Sequence, residues 1–283
     1  MRLTYRAGMF RVATWNVGHA VAPKLPFVQQ WEWFEREVEA DIVILTEAKP
    51  DFSVCGPDWS FVYKDGGIGG RRRWGTAIGA YGDQLRDVTN GVPGRGGFTV
   101  NHTYPGYVSI ADLVDEENDG ETLLTIVGIH APLLDREGNK VKWGGESIEV
   151  IMEDLQGLIN SDRGEMLIIA GDLNVHPLHV PPSLYENFLD VVEASADIRE
   201  PLEGCVNCGM GDECGHLWTH RNGNSPNAAV QNIDYIFVSE GVAEMLKAIG
   251  GGSGDFPKVW DISDHAPVIA DFGADDEDDE SNN

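Results

Sequence analysis

Apolar residues along this chain gather into short runs, and many of these end in a polar or glycine-containing cluster. Eight runs read as strands, at residues 10–15, 41–45, 74–81, 107–114, 123–129, 166–170, 233–238 and 267–272. Between some of them the spacing turns helical. Phe27, Trp31, Phe34 and Val38 fall on one face, as do Ile148, Ile151, Leu155 and Leu158, and Ser183 stands where it would cap a third helix carrying Leu184, Phe188 and Val192. Strands and helices in mixed order, with hairpin-like runs in the middle, predict an α/β (or α+β) fold with mixed sheets. No internal repeat and no long linker interrupts the pattern. The reading is therefore one domain over residues 9–273, preceded by an extension at 1–8 (or a start at Met9) and followed by a disordered acidic tail at 274–283.

Composition narrows the partners. The chain of 283 residues carries 47 acidic and 20 basic side chains, a formal charge of −27. The tail segment "ADDEDDE" supplies six of those negative charges, which leaves about −21 on the body. Such a balance opposes non-specific binding to DNA and to anionic lipid. Two explanations stay open: a halophilic host with a salty cytoplasm, or a substrate that is not a polyanion. The even spread of acids along the chain favours the first, and at about 1 M salt a Debye length of ~3 Å screens most phosphate repulsion. No apolar run of about 18 residues predicts a membrane span, and residues 1–17 lack the apolar segment of a signal peptide, so the expected location is cytoplasmic.

The chemistry sits where the apolar runs stop. Asn16 closes the first, Glu47 the second and His130 the run "LLTIVGIH"; Asp172 and Asn174 close "MLIIAGDLN". Asp234 opens "IDYIFVS", and Asp264 and His265 precede the last run. Any one of these alone is an ordinary turn residue. Together they would put carboxylates, amides and imidazoles at one edge of a core, and Asp172 and Asn174, two apart, would share a face. Carboxylates beside amide oxygens suit a hard divalent cation, which for Mg²⁺ keeps water and phosphate oxygens as its other ligands.

The segments "ATWNVG", "DIVILTEAKP", "IVGIH", "IIAGDLN", "NIDYIFVS" and "SDHAPV" resemble, in order and approximate spacing, the motifs of the endonuclease/exonuclease/phosphatase (deoxyribonuclease I-like) family. The resemblance implies a four-layer sandwich of two packed mixed β-sheets flanked by helices, and phosphoester hydrolysis dependent on Mg²⁺ or Mn²⁺. It implies Glu47 as the main metal ligand with Asn16 beside it and Asp264 adjacent, and Asp172 as the residue that orients or deprotonates water. Asn174 would hold water or phosphate, Asp234 would orient His265 against the phosphate, and His130 would act on phosphate or leaving group. The substrate reading is nucleic acid, with a small phosphorylated metabolite or lipid headgroup as the alternative and a non-catalytic binding protein ranked below both. Apurinic endonucleases place an acidic residue where this chain has Gly18, and Tyr where it has His130; both differences weaken an abasic-site reading.

Other signals are separate. Cys205, Cys208, Cys214 and His216 lie within twelve residues and supply four ligands of the kind that hold structural Zn²⁺, with reduced surface thiols or a disulfide as alternatives. Arg71, Arg72 and Arg73 would grip a phosphate or balance charge in a hairpin loop. His176 and His179 read as loop residues close behind "GDLN", Trp15 as core, and His220 and Arg221 take no assigned role.

Overall fold

Two six-stranded sheets absorb all eight apolar runs. In this computed structural model, the residues described are 9–20, 23–49, 51–65, 74–82, 84–94, 97–115, 120–191, 217–221 and 228–273. The first sheet has the order β13 (Leu246–Gly251), β14 (Val268–Gly273), β1 (Met9–Asn16), β2 (Ile42–Ala48), β4 (Gly75–Tyr81), β3 (Trp59–Asp65). The second runs β5 (Gln84–Asp87), β6 (Val108–Asp115), β7 (Glu121–His130), β8 (Leu167–Asp172), β12 (Asp234–Val238), β9 (Leu189–Asp190). A short ribbon pairs β10 (His220–Arg221) with β11 (Val230–Gln231).

Each sheet is mixed, because one of its pairs is parallel: β1 with β2, and β7 with β8. A parallel pair needs a crossover, and a helix supplies it in both cases. Helix α1 (Phe27–Glu37) links β1 to β2, and α2 (Gly145–Asp154) with the single turn α3 (Gln156–Ile159) links β7 to β8. Three apolar layers follow. The central one joins the facing sides of the sheets, with Ile44 and Ile78 from one and Ile126 and Ile168 from the other, all fully buried. Full burial of each such side chain contributes roughly 1.5–3 kcal/mol. Trp31, Phe34 and Val38 seal α1 to the outer face of the first sheet, and Ile148, Ile151, Leu155 and Leu158 seal α2 and α3 to the second. Four layers result, helix–sheet–sheet–helix.

The third helix does not form as read. Its α-helical part is a single turn, Pro182–Tyr185, whose N-cap is Pro181 rather than Ser183. The chain then turns extended so that Leu189–Asp190 pairs with β12, and Leu184 and Phe188 reach the core without a continuous helix. Cys205, Cys208, Cys214 and His216, the arginines 71–73, the extension 1–8 and the tail 274–283 lie outside the described residues. No helix among the described residues is long and apolar enough to cross a membrane.

Candidate active site

Register decides which side chains meet. In the second sheet His130 pairs with Asp172 and Asp172 with Asp234, so one row crosses β7, β8 and β12 at their shared edge. Asn16 ends β1 in the other sheet, and its Nδ2 donates to Asp172 Oδ2 at 2.8 Å, tying the two sheets together at this point. Asp172 Oδ1 accepts from the Asn174 backbone N–H at 2.9 Å, and Asn174 Nδ2 donates to the Ala131 carbonyl at 3.0 Å.

Among the described residues three adopt left-handed backbone conformations without being glycine: Glu39 at φ 51°, just past α1, and, at this site, Glu47 at φ 49° and Asn174 at φ 51°. Each costs on the order of 1–3 kcal/mol, a cost often found where a fold holds functional groups. For Glu47 the cause is visible in the ladder, because the β2–β4 register shifts between Leu45 and Ala48. A bulge of this kind re-aims a side chain. Here the Glu47 carboxylate sits 3.5 Å from His130 Nε2 and accepts from the Ala20 N–H at 3.3 Å.

The two histidines are held differently. His130 lies between aromatic rings, stacked on Tyr107 at 5.6 Å and edge-on to Trp74 at 4.9 Å. Its Nε2 is 3.7 Å from Asp172. His265 Nδ1 lies 2.8 Å from Asp234 Oδ2, and its Nε2 is 3.9 Å from Asp172 Oδ2. Its backbone is also fixed: Trp15 Nε1 donates to the His265 carbonyl at 3.0 Å, and the His265 N–H donates to Ser263 Oγ at 3.2 Å. His220 bridges to His265 and places its ring 4.5 Å from it.

These groups open into a cavity of about 350 Å³ lined by Glu47, Asp172, Asn174, His220, Asp264, His265 and Lys24. Backbone conformation accounts for the glycine at position 18, beside Asp264. Gly18 has φ +70°, a conformation that strains any other residue, and a β-carbon there would also lie a tight 3.2 Å from Asp264 Oδ1. A larger cavity of about 630 Å³ beside Met9 and Tyr81 holds Arg11 paired with Asp271 and no histidine, and it lies away from this chemistry.

Crowded buried carboxylates perturb one another. Burial, then the neighbouring Asp234 charge, pushes the Asp172 carboxyl up to about 8. Burial also raises Glu47. Burial works to lower His265, but the charge and hydrogen bond of Asp234, with Asp172 and Asp264, outweigh it and lift the imidazole to about 10. His220, desolvated beside that cation, falls to about 4. The cluster therefore asks for positive charge. Glu47, His130 and Asp172 each offer one ligand atom, all within 4.8 Å of one another, as do Asp172, Asp234 and His265. Asp234 Oδ1 is buried with no hydrogen-bond partner among the described residues. Hard oxygen donors at this spacing fit a divalent cation.

The structure thus brings together every strand-end residue picked out in the sequence: Asn16, Glu47, His130, Asp172, Asn174, Asp234, Asp264 and His265. Trp74 and Tyr107 around His130, Ser263 behind His265 and Lys24 at the rim were not picked out. Of these, Trp74 and Tyr107 gave a signal, each as an aromatic residue at the head of an apolar run.

The fold is similar to that of an AP endonuclease, LMAP from Leishmania major, with a TM-score of 0.62, 17% identity, and 94% of this chain and 88% of that one covered. It is similar to the 3′ phosphatase NExo from Neisseria bound to a product DNA hairpin (TM-score 0.58, 16% identity, coverage 94% and 100%). It is also similar to TDP2 from D. rerio complexed with a single-strand DNA product (TM-score 0.58, 13% identity, coverage 94% and 99%). No curated protein matches the chain significantly. The family model of the endonuclease/exonuclease/phosphatase family matches residues 13–265, and with the strand-edge cluster in place the chain belongs to that family.

Proposed function

We propose that this protein is a phosphodiesterase dependent on Mg²⁺ or Mn²⁺ that hydrolyses nucleic acid by direct attack of water on phosphorus. The observation that carries the reading is the position of Asp172, fixed by Asn16 and the Asn174 N–H between two imidazoles and beside Glu47. Glu47 and Asn16 would hold the cation, with Asp264 adjacent. When bound, the cation supplies charge to non-bridging phosphate oxygens and acidifies coordinated water.

The remaining steps belong to the chain. Asp172, whose carboxylate is unusually basic for its type, orients the attacking water and accepts its proton. Asn174 holds water or a phosphate oxygen beside it. His265, kept cationic by Asp234, places Nε2–H where charge builds on the phosphorane-like transition state. His130, braced by Trp74 and Tyr107, serves the phosphate or the leaving oxygen.

The DNA-bound NExo and TDP2 structures support nucleic acid as the substrate class. The second reading, a small phosphorylated metabolite or lipid headgroup, draws on the 350 Å³ cavity, a size that suits a small ligand. A panel of plasmid, single-stranded DNA, abasic duplex, RNA and small phosphoesters, with Mg²⁺ or Mn²⁺ from low to molar KCl, separates them. Cleavage of a polynucleotide that disappears in His265→Ala is the expected result. Turnover of small phosphoesters only would overturn the first reading in favour of the second.

A further inference from the structure

Beyond Asn174 the exit of β8 runs into a cluster that the hydrolytic chemistry leaves unused. The Trp143 ring lies 5.9 Å from that of His176 and 6.5 Å from that of His179, and the two imidazoles are 6.0 Å apart. Lys142 Nζ sits 5.1 Å over the Trp143 ring. None of the four lines the 350 Å³ cavity. They flank it, since two residues of chain from Asn174 to His176 span at most about 7 Å.

The cluster is built onto the catalytic loop. The Gly144 N–H donates to the Asn174 carbonyl at 2.7 Å, and a β-carbon at Gly144 would lie 2.5 Å from the Leu173 carbonyl oxygen. Only glycine lets the segment bearing Trp143 approach this closely. Ser147 Oγ, 2.7 Å from the Pro132 carbonyl and 2.8 Å from that of Gly144, fixes the start of α2 directly behind it.

Its composition indicates what it meets. Trp15 and Trp31 are buried to 1% exposure or less, whereas Trp143 is half-buried with a cation above it. The ring planes of Trp143 with His176, Trp143 with His179 and the two imidazoles diverge by 56°, 34° and 54°, so the rings do not cover one another's faces in a closed stack. Burial, with His179 and Lys142 close by, holds the His176 imidazole below its ordinary pKa, which leaves a flat ring without charge to hydrate. Aromatic rings that are half-buried at Trp143 and His176 and exposed at His179, with a lysine, next to a phosphate centre, match a ligand that carries flat rings on a phosphate backbone. In an intact duplex those rings are already stacked on their neighbours; an unpaired base has a free face.

We propose that Trp143, His176, His179 and Lys142 form a stacking subsite for one unpaired nucleobase beside the hydrolysed phosphate, favouring single-stranded or frayed nucleic acid over intact duplex. The proposal rests on the nucleic-acid reading given above.

The test is fluorescence anisotropy of a labelled oligothymidylate and of a baseless oligomer of equal length, with Mg²⁺, in an Asp172→Asn background that prevents cutting. Adding Trp143→Ala raises Kd for the oligothymidylate about ten- to a hundredfold, Trp143→Phe restores most of the affinity, and Kd for the baseless oligomer changes less than about twofold. Melting temperature serves as the folding control. Equal Kd for the alanine variant and its parent on oligothymidylate, or an equal loss on the baseless oligomer, overturns the subsite and leaves the hydrolytic reading intact. Absence of oligonucleotide binding by a wild-type protein that still hydrolyses small phosphoesters overturns the nucleic-acid reading, and the subsite with it.

Discussion

Asp234 Oδ2 lies 2.8 Å from His265 Nδ1, and the far nitrogen of the same ring lies 3.9 Å from Asp172 Oδ2. All three side chains are buried, so the ring has one orientation and its charge has few counterions to choose from. Asp234→Asn keeps the shape and removes the charge that chiefly keeps the ring protonated. The expected outcome is a fall in kcat of roughly a hundred- to ten-thousandfold with a smaller change in KM. The basic limb of the pH profile should move from near 10 toward the ordinary 6.5. An unmoved profile would show that Asp234 does not set the His265 charge.

Glu47 presents its carboxylate from a bulged, left-handed position. Glu47→Gln leaves that geometry in place and removes a half-buried negative charge. The variant should melt at or above the wild-type temperature without metal, while Mn²⁺ affinity measured by titration calorimetry falls at least about tenfold. Unchanged Mn²⁺ affinity would relocate the cation to the Asp172, Asp234 and His265 group.

The site was legible in the sequence because its residues interrupt apolar runs: Asn16, Glu47, His130, Asp172 and Asp234 each stand at or near the end of a buried strand. The strands themselves were legible for the same reason. What escaped lacks that contrast. Strand β13 keeps five of its six residues half-exposed and shows no strong apolar run, and β3, although it carries Trp59, Phe61, Val62 and Tyr63, buries only Val62 and ends in no polar residue of the site. At 183–192 helical spacing was present, but consecutive prolines and the pairing of Leu189–Asp190 with β12 prevailed over it. Trp74 against His130 and His220 against His265 are contacts between distant segments, and no local pattern announces a tertiary neighbour.

Stability should depend on pH in a way that a divalent cation reverses. A group whose folded pKa exceeds its unfolded one stabilises the fold below the unfolded value and loses that contribution as pH climbs to the folded one. For Asp172 the window runs from 3.8 to about 8, and for His265 from 6.5 to about 10. Both retained protons therefore act in the same direction, each worth at most about 1.4 kcal/mol per pH unit within its window. Without metal, the melting temperature should fall between pH 6.5 and 9. Mg²⁺, which would replace the retained proton at the carboxylate cluster, should restore more of it at pH 9 than at pH 6.5, and Asp172→Asn should flatten the slope. A melting temperature that rises with pH over this interval in the absence of metal would contradict the assignment.

Asp112 is a buried carboxylate with no part in the hydrolytic site. It is fully buried in β6, where Arg163 Nη2 reaches it at 3.1 Å, Arg86 Nη2 at 2.8 Å and Thr125 Oγ1 at 2.9 Å. Arg163, itself 17% exposed, also stacks its guanidinium 5.4 Å from the Phe98 ring. The network clamps the β5–β6–β7 edge of the second sheet to the turn that enters β8. Removing the shared carboxylate leaves the Arg163 charge poorly solvated and unpaired, so Asp112→Ala should cost about 3–5 kcal/mol in a urea melt. Phosphoester turnover per folded molecule should stay at the wild-type level, because the row from His130 through Asp172 to Asp234 is set by the far ends of β7, β8 and β12. Loss of turnover without loss of stability would place Asp112 in the chemistry instead of the scaffold.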